Sequence, residues 1–202
     1  TKPVRGLITD KDVYGAAAYY FGDTGVEQAT TDNFKIKVGY DFANWSSLLN
    51  IAYEDRNTLR DAPNSYLRNS AGEQVWSGNF EQDGVAITVP AARLGASELD
   101  RRSLSIGLRL KGDLAEGVRF ESNLSDFRIL EDTNRASSHS LKDPLFQGRG
   151  QTTDYDDTGW QTLEGKFIFS NLGVSDLELV TGARYEAYRL NMDVFNSQRW
   201  DK

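Results

Sequence analysis

The chain offers one histidine and no cysteine, which narrows its chemistry at once. His139 lies in the run Ala136-Ser137-Ser138-His139-Ser140. A nucleophilic relay needs a base held between an ordered acid and a serine. No spacing here marks either partner, so His139 reads as a solvated loop residue. Asp154, Asp156 and Asp157 present the oxygen ligands that Ca²⁺ takes, but without the spacing of an EF-hand loop. They read as a solvated acidic loop. Gly22-Asp23-Thr24-Gly25 and Gly148-Arg149-Gly150 read as turn or loop glycines, because no helix follows to complete a phosphate cradle. Without cysteine there is no disulfide and no thiolate-held zinc. The expectation is a protein that is not an enzyme and carries no cofactor or metal of its own.

Recognition is the better-supplied chemistry. Arg56, Tyr66, Arg68, Trp76 and Arg102 fall in a long stretch without sustained periodicity. Arginine suits carboxylate or ferric-chelate anions through its paired N–H donors, and aromatic rings suit flat ligand surfaces. Glu186 joins them from a strand-like segment, on the side where charges gather. These are the candidate ligand-binding residues. A formal net charge of −7 argues against nucleic acid as a partner.

The elements that must position them are strands with two unlike faces. From Phe34 the chain alternates Phe34, Ile36, Val38 and Tyr40 with Lys35, Lys37, Gly39 and Asp41. Successive strand residues point to opposite faces, so one side is apolar and the other strongly polar. Seven such segments are predicted. The first covers residues 13–21, followed by a connection over 22–32. The second covers 34–41 and turns at Phe42-Ala43-Asn44. The third covers 45–55, with Trp45, Ser47, Leu49, Ile51 and Tyr53 outward. Residues 56–102 read as one long loop, and a loop of that size in a compact domain implies function. The fourth strand starts at Ser103, with Leu104, Ile106, Leu108 and Leu110 on one face, and turns over 112–117. The fifth begins with Val118, Phe120 and Leu124 on one face, then shifts to Phe127 and Ile129, which predicts a β-bulge near Ser125-Asp126. A second long loop covers 132–158. The sixth strand puts Leu163, Gly165, Phe167 and Phe169 outward and turns at Ser170-Asn171-Leu172-Gly173. The seventh covers about 177–190, with Leu177, Leu179, Thr181, Ala183 and Tyr185 out.

Short turns thus fall at one end and long connections at the other. That asymmetry, with polar-in and apolar-out strands, describes an antiparallel up-and-down transmembrane β-barrel. A mean hydropathy of −0.55 fits it as well as a soluble protein, because such strands are polar at every second residue. No apolar run approaches the ~18 residues of a membrane helix, whereas a barrel strand crosses with ~9–11. A soluble β-sandwich also alternates, with its apolar face buried as a core. Periodicity alone fits both. The loop asymmetry, the strand lengths and Trp45 at a strand end favour the membrane.

Several longer segments carry a family resemblance. They are Asp32-Asn33-Phe34-Lys35-Ile36-Lys37-Val38-Gly39-Tyr40-Asp41-Phe42, then Ser65-Tyr66-Leu67-Arg68-Asn69-Ser70-Ala71-Gly72-Glu73-Gln74-Val75-Trp76-Ser77-Gly78, and Thr88-Val89-Pro90-Ala91-Ala92. Asp156-Asp157-Thr158-Gly159-Trp160-Gln161-Thr162-Leu163 and Gly182-Ala183-Arg184-Tyr185-Glu186-Ala187-Tyr188-Arg189-Leu190 complete the set. In combination they resemble the barrel of TonB-dependent outer-membrane receptors of the iron-siderophore type. The resemblance implies a barrel of about 22 strands, a plug domain and a TonB box. It implies location in the bacterial outer membrane, with membrane lipid, a siderophore or other small ligand, and a TonB complex (reached through the plug) as partners. Residues 1–202 are then expected to be an internal fragment supplying about seven strands, since the chain opens Thr1-Lys2-Pro3-Val4-Arg5-Gly6 and closes Arg199-Trp200-Asp201-Lys202. Lys35, Lys37, Glu54, Arg109, Lys111, Arg119, Glu121, Glu178, Arg184 and Glu186 would line the lumen, most of them solvating it or contacting the plug. The alternatives are a passive porin-like channel for sugars or small solutes, and a secreted β-sandwich binding module.

Overall fold

The computed structural model of the chain describes residues 8–82, 84–173 and 177–202. The opening segment Thr1 to Gly6, read above as a fragment's start, lies outside them. The described residues form strands, turns and one short 3₁₀ segment, with no α-helix. In chain order the strands are β1 (Ile8–Lys11), β2 (Ala17–Tyr20), β3 (Gly22–Asp23), β4 (Glu27–Asp41), β5 (Trp45–Arg60), β6 (Asn64–Ser65) and β7 (Gly78–Gln82). Then come β8 (Val85–Val89), β9 (Ser97–Ala115), β10 (Val118–Ser137), β11 (Gly150–Asp154), β12 (Gly159–Phe169), β13 (Leu179–Arg189) and β14 (Asp193–Ser197). The 3₁₀ turn Ala91–Leu94 precedes β9.

An 8-stranded antiparallel sheet dominates, in the order β13-β12-β10-β9-β5-β4, with β11 and β14 continuing it at one end. Both β11 and β12 pair with β10, at Ser137 to Thr133 and at Arg128 to Val118. They are therefore one strand interrupted at residues 155–158, and β13 and β14 are likewise interrupted at residues 190–192. The sheet thus reads as long up-and-down strands. It is open, with β4 and β13 at its edges, and does not close into a barrel among the described residues.

Register gives this sheet its character. One continuous row is Ile36, Ile51 and Ile106, and the next is Val38, Leu49, Leu108, Leu124, Leu163 and Tyr185. In these rows apolar positions on neighbouring strands align, the first of them as far as Ile106, which meets Asp126 on β10, and apolar cross-strand pairs stabilise the pairing. The outcome is an apolar band on one face, and it is exposed: Val38 is 55% and Leu163 50% accessible. At the turn end the band finishes in an aromatic cluster. Phe42 stacks on Trp45 with ring centroids 3.8 Å apart, and Tyr40 meets Phe42 edge-on at 4.4 Å. The opposite face is polar: Lys111, Glu121 and Lys166 share a row, as do Arg109, Asn123, Glu164 and Arg184.

Two connections at one end are short. Phe42 N donates to Trp45 O at 2.7 Å. Only Glu116-Gly117 joins β9 to β10, with Gly117 at φ 71°, a left-handed value that favours glycine at such a turn. Asn171 and Gly173 also adopt positive φ, in the turn after β12.

Several expectations need correction. The predicted first strand, residues 13–21, is instead a turn followed by β2, in a separate hairpin with β1. Asp12 Oδ1 accepts from the N–H groups of Tyr14 (2.8 Å) and Ala16 (2.9 Å), which closes a turn where alternation suggested a strand. About seven barrel strands therefore become the six long ones. The second strand starts earlier, at Glu27, and the third ends later, at Arg60. The two long loops shrink to residues 61–96 and 138–149, because β5, β9 and β10 run on past the apolar band. The bulge lies not near Ser125-Asp126 but at Leu130, where the register with β9 shifts between Ile129 and Glu131, and again beside Val118.

The most buried apolar side chains lie mainly in the first loop and not in the sheet. Leu67, Trp76, Val89, Leu94 and Ala96 are buried there, Leu67 to 1% accessible. The β7–β8 hairpin and the bridge between Arg68 and Gln74 give the loop its own pairing. Two strands reach it from outside: β3 pairs with β6, and Ser137 at the end of β10 donates its N–H to Ala96 O at 2.9 Å. Gly25, at φ 72°, lies so close to the loop that a Cβ would stand 2.1 Å from Ala62 O.

Candidate functional site

The loop end of the sheet gathers the candidate residues unevenly. Tyr66, Arg68 and Trp76 belong to the folded loop. Trp76 is 4% accessible and fills that loop's interior, so its ring is not on offer to a ligand. Arg68 turns inward too: its Nη1 donates to Ser65 O (3.0 Å) and Leu67 O (2.8 Å), tying the guanidinium to the loop's own backbone. Below it, Asn69 Oδ1 accepts from Ala71 N and Glu73 N, shaping the exposed turn at Gly72.

Tyr66 makes a longer connection. Its hydroxyl donates to Asp23 Oδ2 at 2.9 Å, and its N–H donates to Phe21 O at 3.0 Å. Tyr66 stabilises the Asp23 carboxylate, and Gly25 N adds a second donor, so the aspartate pKa lies below its ordinary value. The same bond raises the Tyr66 pKa, since a deprotonated phenol beside a carboxylate would lose it. The signs define a window. A lowered carboxyl pKa makes the contact's contribution complete above the ordinary aspartate range, and it is lost as pH falls through the lowered value. A raised phenol pKa keeps the donor until pH rises through the raised value. Acidification below the ordinary aspartate range is therefore expected to free Tyr66, seen as faster amide exchange in residues 62–68. Tyr66→Phe should abolish that pH response, and an unchanged response in the variant would discount the contact.

Arg56, Arg102 and Glu186 stand on the sheet and not in loops. Arg56 and Arg101 are cross-strand partners on the polar face, and Arg101 is paired in turn with Asp132. Arg101 Nε donates to the buried Asp132 Oδ2 at 2.8 Å, and Asp132 N donates to Asp156 Oδ1 at 2.9 Å. Arg56 donates from Nε to Thr58 Oγ1 at 3.3 Å. This row is a basic patch, part-balanced by one carboxylate, at the loop end of the polar face. Arg102 lies on the other face, where it pairs with Glu131. Glu186 lies far below, joined to Arg184 and accepting from the Tyr188 hydroxyl at 2.6 Å. The structure thus brings Tyr66, Arg68 and Trp76 into one loop and leaves the other three apart.

Sequence reading missed Asp23, Arg101 and Asp132, all fixed by partners distant in the chain. It also missed an aromatic pair on the polar face: Phe127 and Trp160 stack with centroids 4.2 Å apart. His139 sits among hydroxyls, its Nδ1 3.0 Å from Ser138 Oγ and its carbonyl accepting from Ser137 Oγ. Among the described residues no group of three or more His, Asp or Glu is placed to hold a metal ion. No helix among them is long and apolar enough to cross a membrane.

Beyond the apolar band, its face turns ionic. Arg135 Nη1 meets Asp100 Oδ2 at 2.7 Å and Asn57 Nδ2 donates to Asp100 Oδ1 at 2.7 Å, while on β10 the charge begins within the band's own rows, Asp126 pairing with Ile106 and Arg128 with Leu104. The band is therefore bounded by aromatic rings at the turn end and by charge at the loop end. Comparison of the chain with protein-family models, curated proteins and solved structures gives no match.

Proposed function

We propose that the long strands form part of the wall of an outer-membrane β-barrel of the TonB-dependent receptor type. The parent protein binds a scarce ligand, a ferric siderophore, at its outer face and imports it with energy from a TonB complex acting on a plug domain. The exposed apolar band carries this reading. In a β-sandwich the apolar face packs on a second sheet about 10 Å away; here no described element covers it. From Trp45 to Tyr53 the band spans the ~9 residues with which a tilted barrel strand crosses a bilayer. Aromatic residues at its edge and charge beyond it suit the two membrane interfaces.

In this orientation the short turns face the periplasm and the folded loops face outward. The polar face lines the lumen, where Lys166–Glu121 (2.9 Å) and Arg184–Glu164 (3.9 Å) neutralise much of the wall's own charge. The Arg56 and Arg101 row then stands near the outer mouth, where an anionic chelate would enter. The test is uptake of radiolabelled ferric hydroxamate and ferric catecholate by iron-starved cells. Uptake of one class is expected to disappear on deletion of the gene and on collapse of the proton gradient. Gene-dependent uptake that survives the collapse would make the protein a passive channel. Full uptake of every class after deletion would remove the siderophore from the reading.

A further inference from the structure

One row of the polar face differs from those around it. Across the sheet it runs Lys35, Ala52, Ser105, Phe127, Trp160 and Tyr188. Its last three members are aromatic, on β10, β12 and β13. The rows below it are charged, with Lys166 beside Glu121 and Arg184 beside Glu164. Core packing does not account for the outer two rings, since Trp160 is 42% and Tyr188 72% accessible.

The row leaves ring faces free. Phe127 and Trp160 stack with centroids 4.2 Å apart and planes 23° from parallel. Each ring therefore gives one face to the other. The second face of Phe127 looks along the row to Ser105 and Ala52, which are too small to cover it. The second face of Trp160 looks toward β13. There Tyr188 is turned along its own strand, its hydroxyl donating to Glu186 Oε2 at 2.6 Å.

Polar groups stand immediately below the stacked pair. Ser125 and Thr162 are cross-strand partners on the same two strands, with their hydroxyls 2.5 Å apart. A hydroxyl donates once and accepts twice, so this pair keeps capacity for a guest. Glu186 continues their row on β13 and adds carboxylate acceptors.

Charge selects among the guests that could lie on these rings. Arg184 meets both Glu164 and Glu186, so this corner holds two carboxylates against one guanidinium. An anionic chelate would meet like charge there. A neutral ring with an apolar face and a rim of hydroxyls suits both halves of the strip, and a pyranose has that form. Its C–H face matches an aromatic ring, and its hydroxyls match the groups beneath. We infer that this strip of the polar face binds a neutral oligosaccharide. One pyranose lies against the open face of Trp160, with its hydroxyls on Glu186 and the Ser125–Thr162 pair. The face of Phe127 over Ser105 offers a second position.

The inference goes beyond the siderophore reading and does not depend on it. Arg56 and Arg101 stand four residues further along β5 and β9 than Ala52 and Ser105, roughly 13 Å at the rise of a strand. The strip also faces water whether the polar face lines a lumen or meets bulk solvent.

The probes are maltohexaose, cellohexaose, xylohexaose and chitohexaose, titrated calorimetrically into the full-length protein. The detergent is lauryldimethylamine oxide, which has no sugar head group to compete. Wild-type protein is expected to bind at least one of the four. Trp160→Ala should weaken that binding about tenfold, the loss expected for one aromatic contact with its buried area. Trp160→Phe, which keeps a ring, should retain most of it. Ser125→Ala with Thr162→Val should weaken it about threefold, as lost neutral hydrogen bonds imply. Heat-modifiable migration and circular dichroism show that each variant has folded. Should Trp160→Ala fail that check, Tyr188→Ala at the more exposed ring is read in its place, with the same expected direction. No binding of any of the four by the wild type overturns the inference, as does unchanged binding in the alanine variant. Loss of ferric-chelate binding in Trp160→Ala, with no oligosaccharide bound by the wild type, assigns the row to the chelate and overturns it too. Siderophore uptake is measured apart from these titrations, so each reading can fail while the other stands.

Discussion

Ile106→Lys and Leu49→Arg are expected to block assembly of the full-length protein, whereas Ser105→Lys and Asn50→Lys leave most of it assembled. The two sets sit on the same strands, one residue apart. Ile106 and Leu49 lie in the apolar band, paired across to Ile51 and Leu108. Ser105 and Asn50 point to the polar face, opposite Ala52 and Gly107. On the barrel reading a charge at the first two positions meets lipid, at a cost of ~2–4 kcal/mol near the bilayer midplane. A charge at the second two meets water and other ions. The measure is the fraction of protein in the heat-modifiable folded form after outer-membrane extraction. Equal losses in both sets would mean that the two faces are not lipid and lumen.

Trp76→Ala should open the loop of residues 61–96 without dissolving the sheet. Removing a buried tryptophan costs ~3–5 kcal/mol, and Leu67, Val89 and Leu94 are buried in the same loop. On the barrel reading, trypsin added to intact cells is expected to spare the wild-type loop. In the variant it should cut after Arg68, once that guanidinium releases the carbonyls of Ser65 and Leu67. Heat-modifiable migration should persist, because the β5–β9 ladder stands apart from the loop interior. A loop as resistant as the wild type's would show that Trp76 does not hold it closed.

The sheet was legible where its chemistry is local. Phe34 to Tyr40 and Leu104 to Leu110 alternate by residue type, and both alternations reappear as faces of the band. Beyond the band the period vanishes: in Asp55-Arg56-Asn57-Thr58 both faces are polar, so nothing in the residue types marks the continuing strand. There it is held by pairing to β9, from Asp55 with Arg102 to Arg60 with Ser97. The Leu130 bulge was illegible for a similar reason, being defined against a partner and not by its own residue. The candidate binding residues were read by type. Trp76 shows the weakness of that reading, since a ring suited to a ligand is as well suited to a core. Arg102 and Glu131 show another: opposite charges on neighbouring strands satisfy each other.

The contrast between turns of two or three residues and a packed loop also bears on the order of assembly. The β9–β10 and β4–β5 hairpins close through a few residues, so each zips up from its turn as a local event. Joining them is different, since Arg60 must find Ser97 across the whole of residues 61–96. A disordered loop pays closure entropy that grows with its length, by about 0.6 kcal/mol per doubling. A loop that has already packed around Leu67, Trp76 and Leu94 presents its two ends as a short clasp, and most of that cost is met beforehand. The packed segment of residues 61–96 thus bears on the rate at which neighbouring hairpins become one sheet, and sequence change there is expected to alter the speed of assembly as well as the loop itself.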